Sequence, residues 1–208
     1  MEAEFWHERW SRGEIGFHQG EVNPLLAAHF EQLALEPGSR VFIPLCGKSL
    51  DMVWLLAQGY QVVGAELSEL AVRELFETLD IQPEISSVGS LKHYQGEGVD
   101  IYVGDIFDLT RGVIGQVDAV YDRAAMVALP RELRVRYSSL LLALSYAPPQ
   151  LLITYEYDQS AMAGPPFSVS AEEVNQHYSY HYQITCVESV EVLMKGKVTA
   201  IETVWLLM

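Results

Sequence analysis

The sequence predicts an α/β protein: a three-layer α/β/α sandwich on a mostly parallel seven-stranded sheet, with an antiparallel hairpin at its end. Three observations carry that expectation. Short apolar runs in β-favouring residues alternate with segments of helical spacing. Two long alternating segments, Tyr182 to Val192 and Val198 to Leu207, close the chain around Lys195-Gly196-Lys197, as a hairpin does. A glycine follows the first strand and an acid ends the second, the pattern of a nucleoside crevice.

Size and charge narrow the classes. At 208 residues, 50% hydrophobic and 20% charged, the chain reads as one domain over 1–208. Within it, 1–35 is expected to be a helical lid region and 40–208 the α/β core. A formal charge of −15 repels polyphosphates, so nucleic acid is not an expected partner, whereas a cationic small molecule is not repelled. The acidic, polar start and the lack of a membrane-length apolar run predict a cytoplasmic chain with no membrane partner. Two cysteines far apart in sequence, Cys46 and Cys186, make no disulfide framework. The six histidines show no metal-ligand spacing with them, so no metal is expected. Monomer is the default state.

The elements follow in order. Glu4 to Arg12 reads as a helix with Phe5, Trp6 and Trp10 on one face, and glycines at 13, 16 and 20 mark a loop through Phe17. Two tryptophans on a short polar helix either dock it on the core or close it over a ligand as a lid. Asn23-Pro24 is an N-cap with proline at the first helical position, opening a helix through Leu33. Val41 to Ile43 is the first strand. Leu50, Val53, Trp54 and Ala57 then keep helical spacing, Gly59 takes the C-cap place, and Gln61 to Ala65 is the second strand. Gly47-Lys48-Ser49 lacks the earlier glycine of a phosphate-binding loop, since Phe42 stands there, and Gly47 alone does not make a dinucleotide fingerprint. A loop so poor in glycine suits a nucleoside without phosphate, such as S-adenosylmethionine. There Gly47 allows close approach and Glu66 accepts from the ribose hydroxyls.

Ser68 caps a helix to about Leu79, and residues 80–98 read as irregular. Val99 to Val103 is the third strand; Asp105 and Ile106 just beyond it fit either an adenine pocket or a plain turn. Val117 to Tyr121 is the fourth strand, with Asp122-Arg123 at its end, so Gly47, Glu66, Asp105 and Arg123 converge at the carboxyl edge. Pro130 opens a long helix, Gln150 to Tyr155 is the fifth strand, and Ser170 with Glu173 forms a capping box. Gly164-Pro165-Pro166-Phe167 lacks the amide or carboxylate of an amino-methyltransferase motif and reads as a pocket wall. Cys46 reads as a small buried side chain and not a nucleophile.

These pieces together resemble the bacterial thiopurine S-methyltransferase family over almost the whole chain. The matching stretches are Phe5-Trp6 through Trp10, Gly16-Phe17-His18-Gln19, Pro44-Leu45-Cys46-Gly47-Lys48, Val63 to Leu70, Ile106 to Leu109, Tyr121-Asp122-Arg123-Ala124 and Gly164 to Phe167. The resemblance implies a class I, Rossmann-like, S-adenosylmethionine-dependent methyltransferase that transfers a methyl group to a small thiol by in-line displacement. It implies cofactor contacts at Trp10, Leu45, Glu66 and Arg123, an adenine side at Asp105 and Ile106, and Phe17 in the acceptor wall. Trp6, as a lid aromatic, and Pro166 and Phe167, as pocket wall, are expected beside Phe17 on the acceptor side. It also implies a basic residue in the last hairpin, where only Lys195 and Lys197 are available. Arg123 stands as a fork for the cofactor carboxylate or as a stabiliser of an acceptor anion. An aromatic thiol is acidic enough to need no strong base, so no catalytic residue beyond Arg123 is expected. The rival readings are a non-catalytic S-adenosylmethionine sensor and a nicotinamide-dependent oxidoreductase.

Overall fold

The computed structural model describes residues 3–194 and 196–208. Its strands are β1 (Arg40–Pro44), β2 (Gln61–Glu66), β3 (Glu84–Val88), β4 (Leu91–Gly96), β5 (Val99–Val103), β6 (Ala119–Arg123), β7 (Gln150–Glu156), β8 (Ile184–Met194) and β9 (Val198–Leu207). The helices are α1 (Ala3–Ser11), α2 (Pro24–His29), α3 (Leu50–Ala57), α4 (Glu69–Leu79), α5 (Arg111–Ile114), α6 (Arg131–Ser145) and α7 (Ala171–Tyr178). One mixed sheet runs β3-β4-β5-β2-β1-β6-β7-β9-β8. The five central strands β5, β2, β1, β6 and β7 are parallel, and an antiparallel pair flanks them on each side. No helix among the described residues is long and apolar enough to cross a membrane.

The three layers follow from the twofold alternation of the central strands. Phe42, Val63, Val120 and Leu152 point to one face, where Tyr137, Leu141 and Leu144 of α6 and Val174 of α7 cover them. Val41, Ile43, Val62, Tyr121 and Ile153 point to the other, under Leu26 of α2, Met52 and Leu55 of α3 and Leu75 of α4. Burying each such aliphatic side chain contributes about 2 kcal/mol. Gly64 sits where β2 meets β5 and the loop after β1. A Cβ there would lie 2.6 Å from Ile101 Cδ1 and 2.7 Å from Cys46 Sγ.

The expected caps form. Asn23 Oδ1 accepts from Leu25 and Leu26 N–H, Ser68 Oγ accepts from Ala71 N–H, and Gly59 (φ +86°) leaves α3 in the left-handed region. The capping box at α7 is half made. Ser170 Oγ accepts from Glu173 N–H, but the Glu173 carboxylate is drawn to Arg134 at 2.7 and 3.0 Å instead of turning back.

Four expectations change. The sheet has nine strands and not seven, because residues 80–98 hold the β3–β4 hairpin. Strand β4 buries only Leu91 and Tyr94, one on each face, so it shows no twofold alternation, and its partner β3 is an exposed serine-bearing edge with no apolar face to betray it. The helix from Pro24 stops at His29 and tightens into a 3₁₀ turn over Phe30–Leu33. Strand β6 begins at Ala119, with Val117 buried ahead of it. Strand β8 starts at Ile184 and runs to Met194, since Tyr182 instead hydrogen-bonds the Pro148 carbonyl from the turn after α7. Lys195 lies outside the described residues.

Candidate active site

A cleft of about 760 Å³ opens beyond the carboxyl ends of the parallel strands, roofed by α1 and the loop after it. The order of the sheet reverses at β1, with β2 on one side and β6 on the other, and this is where a crevice forms in such folds.

Its floor is built by the turn after β1. Leu45 (φ +47°) and Gly47 (φ +54°) both adopt left-handed backbone, which swings the turn towards the end of β2. Glu66 receives it. Its Oε2 accepts from Gly47 N–H at 2.8 Å and its Oε1 from Ser68 N–H at 2.8 Å. Burial pushes the Glu66 carboxyl up, while the backbone N–H groups of Ser68, Gly47 and Leu67 pull it back down. Each carboxylate oxygen keeps a further lone pair for a hydroxyl in the cleft. The Trp10 indole seals this end: a Cβ on Gly47 would lie 3.1 Å from Trp10 Cζ2. Trp6 and Trp10 both pack edge-on against Phe17, with ring centroids 5.7 and 5.5 Å apart.

Arg123 is the cation of the middle. Its side chain is 9% exposed, its Nε is buried without a partner, and Nη2 reaches the Phe17 carbonyl only at 3.5 Å. Asp51 Oδ2 lies 3.8 Å from Nη1, too long for a hydrogen bond, because Asp51 is held by Asn23 N–H and the Tyr121 hydroxyl. Two more groups lining the cleft, Arg9 Nε and His18 Nδ1, are likewise buried and unpartnered. Burial first, then Lys48 and Arg123, lower the His18 pKa, which keeps that ring neutral. A cleft with three orphaned polar groups fits a polar ligand and not a sealed core.

Ile106 is buried at the third-strand end. Asp105 Oδ1 accepts from Phe107 N–H, so Asp105 caps a short turn and also lines the cleft. The far end is walled mostly by apolar side chains, among them Val127, Leu129, Pro165 and Pro166. Phe167 is not brought to the lining. Its ring covers Gly164 and its N–H donates to the Val127 carbonyl at 2.6 Å, so it backs the wall. Lys197 is exposed at the hairpin turn and does not itself line the cleft, although Met194, whose carbonyl accepts from its N–H, does. Tyr155 and Glu202, which the sequence reading passed over, face the far end side by side. An isolated acid in the apolar run from Val198 to Leu207 was the available signal.

Cys46 is buried, and burial together with Glu66 pushes its thiol well up, so it remains a thiol and supplies no nucleophile. Among the described residues no group of three His, Cys, Asp or Glu could hold a metal ion.

A five-strand parallel centre, a glycine turn bound to an acid at the end of the next strand, and a cleft over that turn define a class I S-adenosylmethionine-dependent methyltransferase. The thiopurine S-methyltransferase family model matches residues 1–206. A thiopurine S-methyltransferase of Teredinibacter turnerae is 51% identical over 99% of this chain and 96% of its own. One from Xanthobacter autotrophicus is 49% identical over 100% and 99%. The chain belongs to the thiopurine S-methyltransferase family. Among solved structures, the 1,6-didemethyltoxoflavin N1-methyltransferase of Burkholderia thailandensis shares the fold, with a TM-score of 0.68 at 15% identity over 99% of this chain and 87% of that one.

Proposed function

We propose that this chain methylates the sulfur of thiopurines or similar small aromatic and heterocyclic thiols, with selenium and tellurium compounds as further acceptors. The observation that carries the reading is the division of one cleft into a polar nucleoside end at Glu66 and a mostly apolar end at Pro166, with Arg123 between them. S-adenosylmethionine supplies the methyl group on a sulfonium. On this reading Trp10, Leu45, Gly47, Glu66, Asp105, Ile106 and Arg123 hold the cofactor. Trp6, Phe17 and Pro166 face the acceptor, with Phe167 behind. The N-terminal helix acts as the lid, on a single-domain monomer.

The chain's work in this reaction is positioning. In-line displacement needs nucleophile, carbon and leaving sulfur aligned, and alignment supplies several kcal/mol of the barrier. For a thiolate acceptor, Trp6, Trp10 and Phe17 exclude water from a step in which an anion and a cation neutralise each other. The test is product analysis by mass spectrometry after incubation with S-adenosylmethionine and a panel of thiols. S-methyl product and S-adenosylhomocysteine should appear in equal amounts. Cofactor binding without turnover on any thiol would leave a sensor in place of an enzyme.

Arg123 is read as the fork for the cofactor carboxylate, since its Nε and Nη groups lack good partners of their own. Arg123→Ala is expected to raise the dissociation constant for S-adenosylhomocysteine by roughly ten- to a hundredfold, the worth of a charge-assisted hydrogen bond. Calorimetry that finds cofactor affinity unchanged and turnover slowed would move Arg123 to the acceptor.

A further inference from the structure

The cleft's far end contains a carboxylate that the positioning argument does not use. Glu202 lies on β9 opposite Tyr155 of β7, and Tyr155 in turn follows Ile153, the β7 partner of Arg123 on β6. Arg123, Tyr155 and Glu202 therefore share one face of the sheet, in a row leading from the middle of the cleft to its acceptor end. The Tyr155 hydroxyl donates to Glu202 Oε1 at 2.8 Å. Burial first, then Glu202, push the Tyr155 pKa up, so the phenol keeps its proton and serves only to fix the carboxylate. Glu202 is 9% exposed, and no partner to its second oxygen is seen among the described residues. A carboxylate held at one oxygen and open at the other, inside a cleft, is arranged to accept a proton.

Resting on the thiol-methylation reading, we propose that Glu202 is the general base that takes the ring N–H proton of heterocyclic thione acceptors. A six-membered heteroaromatic thiol in water is largely the thione, with its proton on ring nitrogen. The acceptor sulfur forms its bond to the methyl carbon as the carbon's bond to the leaving sulfur breaks, and that electron pair stays on the leaving sulfur. The C=S bond becomes C–S and the ring C–N gains double-bond character. The nitrogen is left cationic, and its proton passes to Glu202. A simple arenethiol loses its only acidic proton to water before binding and has nothing to give Glu202. The site thus separates two acceptors of similar size by whether a proton must leave.

The experiment compares 6-mercaptopurine with thiophenol in the wild type, Glu202→Gln and Tyr155→Phe, with calorimetry of S-adenosylhomocysteine to verify each folded cofactor site. For Glu202→Gln, the loss of kcat/KM on mercaptopurine should exceed the loss on thiophenol by about tenfold or more, within the range of general-base effects. Calorimetry on protein loaded with S-adenosylhomocysteine should show mercaptopurine affinity falling more than thiophenol affinity. Tyr155→Phe, which only loosens the carboxylate, should shift the same ratio in the same direction by a smaller factor. Equal losses on the two acceptors, or none, in either variant that retains cofactor affinity would overturn the assignment. A wild type that binds S-adenosylhomocysteine yet turns over neither acceptor would overturn the thiol-methylation reading, and this assignment with it.

Discussion

Glu66→Ala is expected to weaken binding of S-adenosylhomocysteine by about a hundredfold or more. The carboxylate holds two structures together at once. It accepts from the N–H groups of Gly47 and Ser68, each at 2.8 Å, and so fixes the turn after β1 against the start of α4. It also offers the remaining lone pairs to the ribose. Removing it leaves two N–H donors facing a gap, at about 1–3 kcal/mol each where water does not replace the oxygen, and deletes the charge-assisted bonds to the hydroxyls. About 3 kcal/mol corresponds to a little over a hundredfold in the dissociation constant. Glu66→Gln should fall between wild type and Ala. Its amide keeps one acceptor oxygen but turns an NH₂ group towards either Gly47 N–H or Ser68 N–H, donor against donor. Calorimetric titration, with thermal unfolding of each variant as a control, measures both. A folded Glu66→Ala protein with wild-type affinity would mean that the nucleoside lies elsewhere.

The parts of this site that the sequence reveals are those whose geometry is local. The turn of Leu45 to Gly47, the helix capped by Ser49 and the acid at Glu66 lie within one strand–helix–strand unit, so spacing alone brings them together. Arg123 is legible by a rule of topology, because ligands gather at the carboxyl ends of parallel strands. Asp51, Tyr121, Tyr155 and Glu202 obey no such rule. Asp51 belongs to the buried side of α3 and meets Tyr121 only because that helix packs over β6, at 2.9 Å. Tyr155 and Glu202 meet through the register of two antiparallel strands 47 residues apart in the pair, which no single-strand pattern encodes. The β3–β4 hairpin was hidden for a related reason: an edge strand with both faces exposed carries no periodic signal. Phe167 shows the reverse case. Its motif lies beside the cleft, yet the bond from its N–H to the Val127 carbonyl turns the ring away from the cavity.

Asp122, next to Arg123 but on the opposite face, should give the fold a pH dependence that one substitution removes. It is fully buried, its Oδ1 accepting from Met126 N–H at 3.1 Å and its Oδ2 from the Tyr137 hydroxyl at 2.7 Å. Burial outweighs these bonds and raises its pKa from 3.8 to about 6. The folded state therefore holds this proton more tightly than the unfolded chain does. The stability it contributes is fully present below pH 3.8 and is lost as pH rises through about 6. At about 1.4 kcal/mol per pKa unit, the loss amounts to about 3 kcal/mol by neutral pH. Asp122→Asn does not titrate. Its amide oxygen can keep the Met126 bond while its NH₂ group donates to Tyr137, whose hydroxyl turns to accept. The unfolding free energy of Asp122→Asn relative to wild type should thus rise by about 2.5 kcal/mol between about pH 4 and pH 8, with most of the change below pH 7. Taking the difference cancels Glu66 and every other group common to both proteins. Urea denaturation across that range measures it, and a difference that stays flat with pH would show that Asp122 is already ionised in the folded protein at the acid end.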